Sequence, residues 1–272
     1  MTAFQPGQML TTRSARVVSA RKLHRRRNRD QSRRFLAEGP QAVQEAIAAG
    51  AVVDVYFTES AHERFSDLLK SAVQAGAYSH LVEESALVAL ADTVNPQGVV
   101  AECSYLDQAL PADAELVVVC DQMSDPGNAG TILRAADAAG ADAVVFPDGS
   151  VDPYNGKCVR ASAGSLFHLP VIRGGTTADH LATLSDLGTQ IFAADLSGDA
   201  DVFGLATKGE LAGPIAWLFG SEPHGLADPI SSIAHRRVKV PIWGQAESLN
   251  LAVAAGVCLY VTASAQRSAI GQ

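Results

Sequence analysis

Short strand-like runs recur through the second half of this 272-residue chain, and helical stretches separate them. Apolar strands that alternate with helices are typical of a parallel β-sheet covered by helices on both faces, an α/β fold. The runs lie at Leu116–Cys120, Ala143–Phe146, Gln190–Ala194, Ile215–Phe219 and 237–240. In an open sheet of this kind, ligands bind in the crevice beyond the carboxyl ends of the strands. The loops that follow these runs are therefore the first candidates for a functional site.

The first 103 residues carry a second, smaller set of alternating patterns. Periodicity predicts helices at 39–50, 62–76 and 83–91, and strands at 52–57, 78–82 and 98–103. Residues 104–115 contain a proline and three acids and lack periodicity, which is typical of a linker. We therefore expect a small α/β domain over 1–103, a linker over 104–115 and a larger α/β domain over 116–272.

Basic side chains are concentrated near the N-terminus. Residues 13–34 contain ten Lys or Arg and one acid, a local charge of +9, whereas the whole chain carries −8. The remainder of the chain therefore carries −17. A basic arm on an acidic body indicates a polyanionic partner that is met at one end. The other interpretation is a solvated, disordered tail.

The composition argues against membrane, secreted and metal-binding classes of protein. The N-terminus lacks the apolar region of a signal peptide. The most apolar stretch, 248–265, is shorter than the roughly 20 residues of a membrane span and predicts a buried helix. The four cysteines form no CxxC pair and the seven histidines no HExxH motif, which favours reduced thiols in a cytosolic protein without a metal.

The loop after the first run allows two interpretations. Its strand–loop–helix plan, with Asp148 near the usual place of a ribose-binding acid, is that of a dinucleotide-dependent oxidoreductase. However, the dinucleotide-binding pattern G-x-G-x-x-G needs three glycines, and this loop has only Gly127 and Gly130. Taken singly, Asn128 is interpreted as a helix cap and Arg134 as a solvated helix charge.

Two later loops also hold polar residues beyond the ends of strands. The loop after Ile215–Phe219 contains Glu222 and His224 and is bounded by glycines. The loop after 237–240 leads to a helix that is expected to start near Ser248, a good N-cap residue. Asn250 then lies in the first turn of an otherwise apolar helix, where its amide needs a partner.

Three motifs in these loops resemble the SpoU (TrmH) branch of the SPOUT RNA methyltransferases. They are N-x-G-x-x-x-R from Asn128 to Arg134, LFGSEPHGL at 218–226 and VPIWGQAESLNLAVAAGVCLY at 240–260. Residues 152–171 also resemble the segment that lies between the first and second motifs of this family. The likeness covers residues 116–272 in order. More loosely, the N-terminal region resembles the substrate-binding domain of rRNA-modifying members, including the thiostrepton-resistance type.

The resemblance implies transfer of a methyl group from S-adenosylmethionine to a ribose 2′-hydroxyl of RNA, with 23S rRNA favoured over tRNA. It further implies a homodimer, a SPOUT domain with a deep trefoil knot and an L30e-like N-terminal domain. The catalytic set that it implies is Asn128, Arg134, Glu222, Ser248 and Asn250, and the cofactor contacts are Gly220, Val240, Ile242 and Leu249. A tRNA 2′-O-methyltransferase of the same fold and a non-catalytic RNA-binding protein are the alternatives.

The resemblance also suggests roles for these residues. Arg134 is proposed in the family to activate the 2′-hydroxyl, but a guanidinium normally stays charged, so stabilising an alkoxide is the easier task. Asn128 would orient Arg134 or the ribose, and Asn250 would tie the third motif to the first. Glu222 would anchor its loop or pair with Arg134. Many members have Ser where this chain has Ala227, so a hydroxyl cap is lost at that helix start.

The basic arm is expected to contact RNA phosphates, which contribute affinity rather than sequence choice. The candidate contacts are Arg21, Lys22, Arg25, Arg26, Arg27 and Arg33, with Lys157 and Arg160 as a second group near the site.

Overall fold

The structure is a computed structural model that describes residues 9–221 and 225–270. Up to residue 106 its helices are α1 (Ala15–Arg21), α2 (Arg26–Ser32), α3 (Pro40–Ala48), α4 (Glu59–Arg64), α5 (Ser66–Gln74) and α6 (Glu84–Leu90). The strands of this part are β1 (Arg34–Glu38), β2 (Val52–Phe57), β3 (Tyr78–Leu81) and β4 (Val99–Ser104).

The later part of the chain alternates strands and helices more regularly. Its strands are β5 (Leu116–Cys120), β6 (Ala143–Phe146), β7 (Val171–Arg173), β8 (Gln190–Ala194), β9 (Ala200–Asp201), β10 (Ile215–Phe219) and β11 (Arg236–Lys239). Its helices are α7 (Pro126–Ala139), α8 (Gly156–Ala161), α9 (Thr177–Asp186), α10 (Val202–Thr207), α11 (Asp228–Ser231) and α12 (Leu251–Ile270).

Seven strands of the later part form one sheet in the order β7-β6-β5-β10-β8-β11-β9, and each neighbouring pair is parallel. Every residue of β5, β6 and β10 is buried, as a sheet covered on both faces requires. The predicted parallel α/β fold is confirmed. Strands β7 and β9 were not predicted, because runs of three and two residues carry no readable periodicity.

This sheet brings the ends of the motif-bearing strands to one edge. Phe219 at the end of β10 pairs with Cys120 at the end of β5, so these neighbouring strands stop together. Strand β11 runs parallel to them, with β8 between it and β10. The loops after β5, β10 and β11, which hold the three motifs, therefore leave the sheet at the same carboxyl edge.

The first part of the chain forms a separate four-stranded sheet in the order β1-β4-β2-β3. Only β2 and β3 are parallel, and the other two pairings are antiparallel. The smaller α/β domain is thus mixed, and two details differ from the prediction. The helix expected over 62–76 is two helices, α4 and α5, interrupted at Phe65. Strand β1 was not predicted, because it starts inside the basic segment.

The basic segment 13–34 is folded, so the interpretation as a solvated tail is wrong. It contains α1 and α2 and is held by ion pairs to acids far away in the sequence. Arg16 pairs with Asp54 at 3.3 Å. Arg34 lies 2.6 Å from Glu102, a hydrogen bond that raises the pKa of the Arg34 guanidinium. These acids are spread along the chain, which is why local charge counting missed them.

A buried ion pair joins α2 to residue 152. Arg29 donates two hydrogen bonds to Asp152 Oδ2, at 2.7 and 2.9 Å, and both side chains are at most 4% exposed. The Arg29 guanidinium also donates to the carbonyl oxygens of Leu23 and His24, at 2.8 and 3.0 Å. The remaining oxygen of Asp152 accepts from the Tyr154 amide at 3.0 Å. Nearly all of the hydrogen-bonding capacity of this pair is therefore used.

Contacts within the chain define two units. The first comprises the described residues up to Leu106 together with Asp152–His168, and the second comprises Asp107–Val151 and the chain from Leu169 onward. The boundary after Leu106 falls inside the predicted linker. The sequence had grouped 152–168 with the second half, but the rings of Tyr154 and Phe167 lie 4.7 and 5.9 Å from that of Phe35 in β1.

The most apolar stretch of the sequence is half-buried rather than buried. In α12, Ala255, Cys258 and Leu259 face the interior, while Val253 and Tyr260 are 53% and 56% exposed. All four cysteines are buried, and none of them forms a disulfide. Burial raises the pKa of the Cys258 thiol to about 12. Among the described residues, no helix is long and apolar enough to cross a membrane.

We expect Arg29→Met to lower the free energy of unfolding by about 3–5 kcal/mol, because it leaves the Asp152 carboxylate buried without its cation. Urea unfolding measures this difference. Arg26→Met is the matched control: Arg26 lies on the same helix, but its pair with Asp30 is exposed and 3.7 Å long, so the loss should stay below about 1 kcal/mol. Equal losses for the two variants would contradict a special role for the buried pair.

Candidate active site

The first motif opens α7, and an aspartate caps this helix. Asp125 accepts a hydrogen bond from the Gly127 amide at 2.7 Å, and Pro126 occupies the first helical position. An Asp-Pro pair is a common helix start, so the sequence could have identified this cap. Asn128 therefore does not cap α7, and its half-buried side chain serves another contact.

That contact is with the third motif. Asn250 Nδ2 donates to Asn128 Oδ1 at 3.0 Å, across 122 positions of sequence. The Asn250 oxygen at the same time accepts from the amides of Ala252 and Val253, at 3.0 and 3.3 Å, so Asn250 caps α12. The structure corrects the expectation that the helix starts near Ser248: it starts at Leu251, and Ser248 is exposed in the preceding loop.

Helices α7 and α12 lie side by side and run in the same direction. Their first turns meet through Asn128 and Asn250, and their last turns meet where Arg267 donates to the Ala139 carbonyl at 3.0 Å. Small residues permit a close approach between these points, since a Cβ on Gly256 would lie 4.0 Å from that of Ala135. The two helices thus hold the first and third motifs in a fixed register.

The buried face of α12 also bonds to the sheet and to loops beside it. Trp217 in β10 is fully buried and donates its ring N–H to Thr262 Oγ1 at 2.9 Å. Gln266 donates to the carbonyl oxygens of Glu115 and Gly213, each at 3.0 Å. The helix that carries the third motif is therefore anchored along most of its length.

In the second motif, the described residues on either side of 222–224 are held together after β10. The backbones of Ser221 and Gly225 exchange two hydrogen bonds, of 3.1 and 2.9 Å. A Cβ on Gly220 would lie 2.4 Å from the carbonyl of Gly225, so only glycine fits at position 220. Gly225 has a positive φ of 63°, which favours glycine for a different reason. The predicted Glu222, and His224, lie outside the described residues.

The helix after the second motif starts without a side-chain cap. Ala227 occupies the N-cap position of α11 and makes no side-chain hydrogen bond there. This agrees with the loss of a hydroxyl that the family resemblance indicated at this position. The helix is only four residues long.

Arg134 is exposed on α7, six positions after Asn128. Six residues of helix advance about 9 Å and leave two side chains about 120° apart around the axis. The two side chains thus do not share one helix face, and the Asn128 amide is bonded to Asn250. This geometry argues against orientation of Arg134 by Asn128.

The residues expected to contact the cofactor lie on both sides of the third-motif loop. Val240 and Ile242 follow β11, Leu249 precedes α12, and all three are half-buried. Sequence reasoning missed their neighbour Trp243, which is 83% exposed and stacks on Phe203 of α10 with ring centres 5.7 Å apart. The available signal was a tryptophan directly before the small and polar residues 244–248.

Six basic residues of the predicted RNA contacts lie on the N-terminal unit, and all are exposed: Arg21, Lys22, Arg25, Arg26, Arg27 and Arg33. Three of them, Arg21, Lys22 and Arg25, line a cleft of about 220 Å³ together with Val18 and Asn28. Arg33 has its guanidinium 4.9 Å from the centre of the Tyr105 ring. The cleft thus brings three exposed cations of the basic segment together.

The second predicted group of RNA contacts divides. Lys157 is exposed near the start of α8. Arg160 instead bonds to Asp92 at 3.0 Å and to Glu38 at 3.4 Å, and its side chain is 27% exposed. Two carboxylates already balance its charge, which argues against the phosphate contact that the sequence suggested for Arg160.

The dinucleotide interpretation finds little support in this geometry. Asp148 is exposed after β6, and its backbone carbonyl accepts from the Gln122 amide at 3.3 Å. In the described part of the chain, no group of three or more His, Cys, Asp or Glu side chains is placed to hold a metal ion.

Comparison with known families decides between the interpretations. Residues 115–260 match the SpoU rRNA Methylase family, and residues 14–101 match the MRM3-like substrate binding domain. The chain belongs to the SpoU rRNA methylase family. The oxidoreductase interpretation is therefore wrong.

Relatives of this SpoU protein resemble it over nearly their whole length. The 23S rRNA (guanosine(2553)-2′-O)-methyltransferase RlmP of Bacillus subtilis is 33% identical over 93% of this chain and 98% of its own. An AdoMet-bound rRNA methyltransferase from Sinorhizobium meliloti has a TM-score of 0.81 and 30% identity, over 94% and 98% of the two chains. The AdoMet complex of the SpoU methyltransferase AviRb from Streptomyces viridochromogenes has a TM-score of 0.82 and 26% identity, over 95% and 100%.

We expect Asn250→Ala to lower the free energy of unfolding of this SpoU protein by about 1 kcal/mol, because α12 loses its cap. Urea unfolding of the full chain provides the measurement. Ser248→Ala is the control, and this exposed residue should change stability by less than about 0.5 kcal/mol. If Ser248→Ala proved the more destabilising change, the assignment of the cap to Asn250 would be wrong.

Proposed function

We propose that this protein transfers a methyl group from S-adenosylmethionine to a ribose 2′-hydroxyl of 23S rRNA. The observation that carries the proposal is the hydrogen bond between Asn128 and Asn250, which joins the first and third SpoU motifs at the carboxyl edge of the sheet. The name of the Bacillus subtilis relative, a 23S rRNA 2′-O-methyltransferase that matches 93% of this chain, supports both the reaction and the substrate.

The residues around the third-motif loop fit such a donor. S-adenosylmethionine supplies a methyl group that its sulfonium already activates. Val240, Ile242 and Leu249 are half-buried, so their side chains can pack on an adenine while their main-chain groups read its edge. The loop at Gly220 follows β10, two places from β11 in the sheet, and leaves the sheet at the same carboxyl edge. The AdoMet-bound relatives support this assignment.

The chain itself must then hold the ribose oxygen in line with the methyl group and help to remove its proton. Arg134 is the proposed catalytic residue for this step. Its exposed guanidinium suits a phosphate contact and the stabilisation of an emerging alkoxide. Asn128 and Asn250 act as positioning residues through their hydrogen bond. Glu222 is proposed to anchor its loop or pair with Arg134. Ser248, exposed in the loop before α12, is proposed to line the proposed substrate site.

RNA is proposed to reach this site while it contacts the N-terminal unit. The match of residues 14–101 to a substrate-binding domain supports this role. The cleft lined by Arg21, Lys22 and Arg25 offers a concave, positively charged surface of a size that suits a phosphate. Arg26, Arg27, Arg33 and Lys157 are proposed to add weaker contacts. Their contribution would be sequence-independent and salt-dependent.

Three further features are proposed from membership of the family. They are a trefoil knot in the C-terminal domain, a homodimer, and activity in the cytoplasm. The anchoring of α12 to α7 and to β10 supports a C-terminal segment that is integral to the site. Four buried cysteines that form no disulfide suit a reducing compartment.

We expect the wild-type protein to methylate an unmodified 23S rRNA transcript, and Arg134→Ala to reduce the rate at least 100-fold, as loss of a charge-stabilising donor does in other enzymes. Transfer of labelled methyl groups measures the rate, and calorimetry measures S-adenosylmethionine binding, which should be unchanged. A tRNA transcript tested in parallel separates the rRNA assignment from the tRNA alternative.

Two further variants test the role of Arg134. Arg134→Lys keeps the charge but not the planar fork, so it should recover part of the activity without a new titration near neutral pH. Arg236→Ala is the matched control, because this exposed arginine lies at the start of β11, away from the carboxyl edge. Full activity of Arg134→Ala would overturn the role, and an inactive wild-type protein would overturn the proposed function.

We expect the double change Arg21→Gln and Arg25→Gln to weaken RNA binding and to reduce the slope of log affinity against log salt by about 1–2. The matched control is Arg64→Gln with Lys70→Gln, which also removes two cations from the N-terminal unit. Arg64 donates to the Gln97 carbonyl and Lys70 pairs with Asp67, both outside the cleft. The same slope change in both double variants would mean that net charge, and not the cleft, sets the affinity.

A further inference from the structure

An exposed aromatic pair stands beside the proposed methyl-donor site. Trp243 is 83% exposed and Phe203 is 37% exposed, and their rings stack at an angle of 27° with centres 5.7 Å apart. Phe203 belongs to α10 and Trp243 to the third-motif loop. The side chain of Phe203 in the helix therefore supports the ring of Trp243 in the loop. The stacking fixes one face of the Trp243 ring while the residue stays largely open to solvent.

The position of Trp243 connects it with the reaction. It directly follows Ile242, one of the proposed cofactor contacts, and lies seven residues before Asn250. Seven residues span at most about 25 Å, so Trp243 lies within about 25 Å of Asn250, which bonds to Asn128 of the first motif. A few nucleotides of RNA can span that distance. Methyl transfer to a 2′-hydroxyl requires the ribose, and therefore the attached base, to enter this region.

The chemistry of the surrounding loop favours a base over a protein surface. Residues 244–248 are exposed and small or polar, with Glu247 the one acid among them. Lys239, at the end of β11, is exposed on the other side of Trp243 in the sequence. A stable protein interface needs a broad apolar centre, which the ring pair by itself does not supply. A single flat platform in a polar loop is instead how proteins stack unpaired bases of RNA.

We propose that Trp243, supported by Phe203, is a stacking platform for an unpaired RNA base at or next to the methylated nucleotide, an inference that rests on the proposed function. Stacking tolerates any base, so the platform positions the RNA strand and does not select its sequence. The flat ring holds the base, and the base carries its ribose toward the donor. Trp243 is therefore a positioning residue that acts through the RNA.

The chain contains only two tryptophans, and Trp217 is fully buried, so acrylamide quenching of fluorescence reports on Trp243. We expect 23S rRNA transcript to reduce the quenching constant of the full-length protein at least two-fold, and S-adenosylhomocysteine alone to leave it unchanged. A Trp243→Leu variant should lose the quenchable signal. If Trp243 is already protected from acrylamide in the protein without RNA, a second copy of the chain covers it. Protection by S-adenosylhomocysteine alone would mean that it covers the cofactor. Either result overturns the platform.

Kinetic measurements on variants of Trp243 provide a second test. We expect Trp243→Ala to weaken RNA binding and raise the KM for RNA roughly 5- to 100-fold, the usual range for loss of one stacking ring, with kcat less affected. Trp243→Phe should restore most of the affinity. Leu196→Ala removes another side chain that is 62% exposed and should change neither value. Wild-type KM in Trp243→Ala would refute the platform and leave the methyltransferase assignment intact, whereas an inactive wild-type protein would refute the assignment itself.

Discussion

The pairing of α7 with α12 is the constraint on which the candidate site depends. The first and third motifs lie more than a hundred residues apart, and neither has a fixed position relative to the other until these helices pack. Asn250 meets both demands of this junction with one side chain, because its oxygen caps α12 and its nitrogen reaches Asn128. Arg267 makes a second such contact at the opposite end, where it donates to the carbonyl of Ala139, the last residue of α7. Two parallel helices that are joined at both ends can neither slide nor splay without breaking a polar contact.

The parallel sheet supplies the second requirement, which is a common edge. Strands β5 and β10 are neighbours that end in register, and β11 lies two places beyond β10. Each motif then needs a different local solution. The first uses an Asp-Pro start, the second a loop whose closure leaves no space for a side chain at Gly220, and the third an asparagine cap. Asn128 and Asn250 are thereby presented from the first turns of two packed helices rather than from one long loop.

Much of this could be predicted from the sequence, because strand periodicity and motif order are local properties. The five strand-like runs of the second half correspond to strands, and the motifs fall at their ends. The misses are long-range. Choosing between Ser248 and Asn250 as the cap required knowledge of where the chain turns toward α7. The folding of the basic segment depends on Asp54, Glu102 and Asp152, whose sequence positions give no sign of that contact. For Arg160, the two carboxylates that balance its charge are equally remote.

The Arg29–Asp152 pair has a consequence for synthesis of the chain. Its partners are 123 positions apart, and β5, α7 and β6 are translated between them. While the nascent polypeptide emerges from the N-terminus onward, Arg29 has no counter-ion to bury against, and Phe35 lacks the rings of Tyr154 and Phe167. The N-terminal unit therefore cannot finish folding during synthesis before residues 152–168 have been made. It completes its own interior only after the opening βαβ of the larger unit has left the ribosome, so production of the two halves is coupled in time.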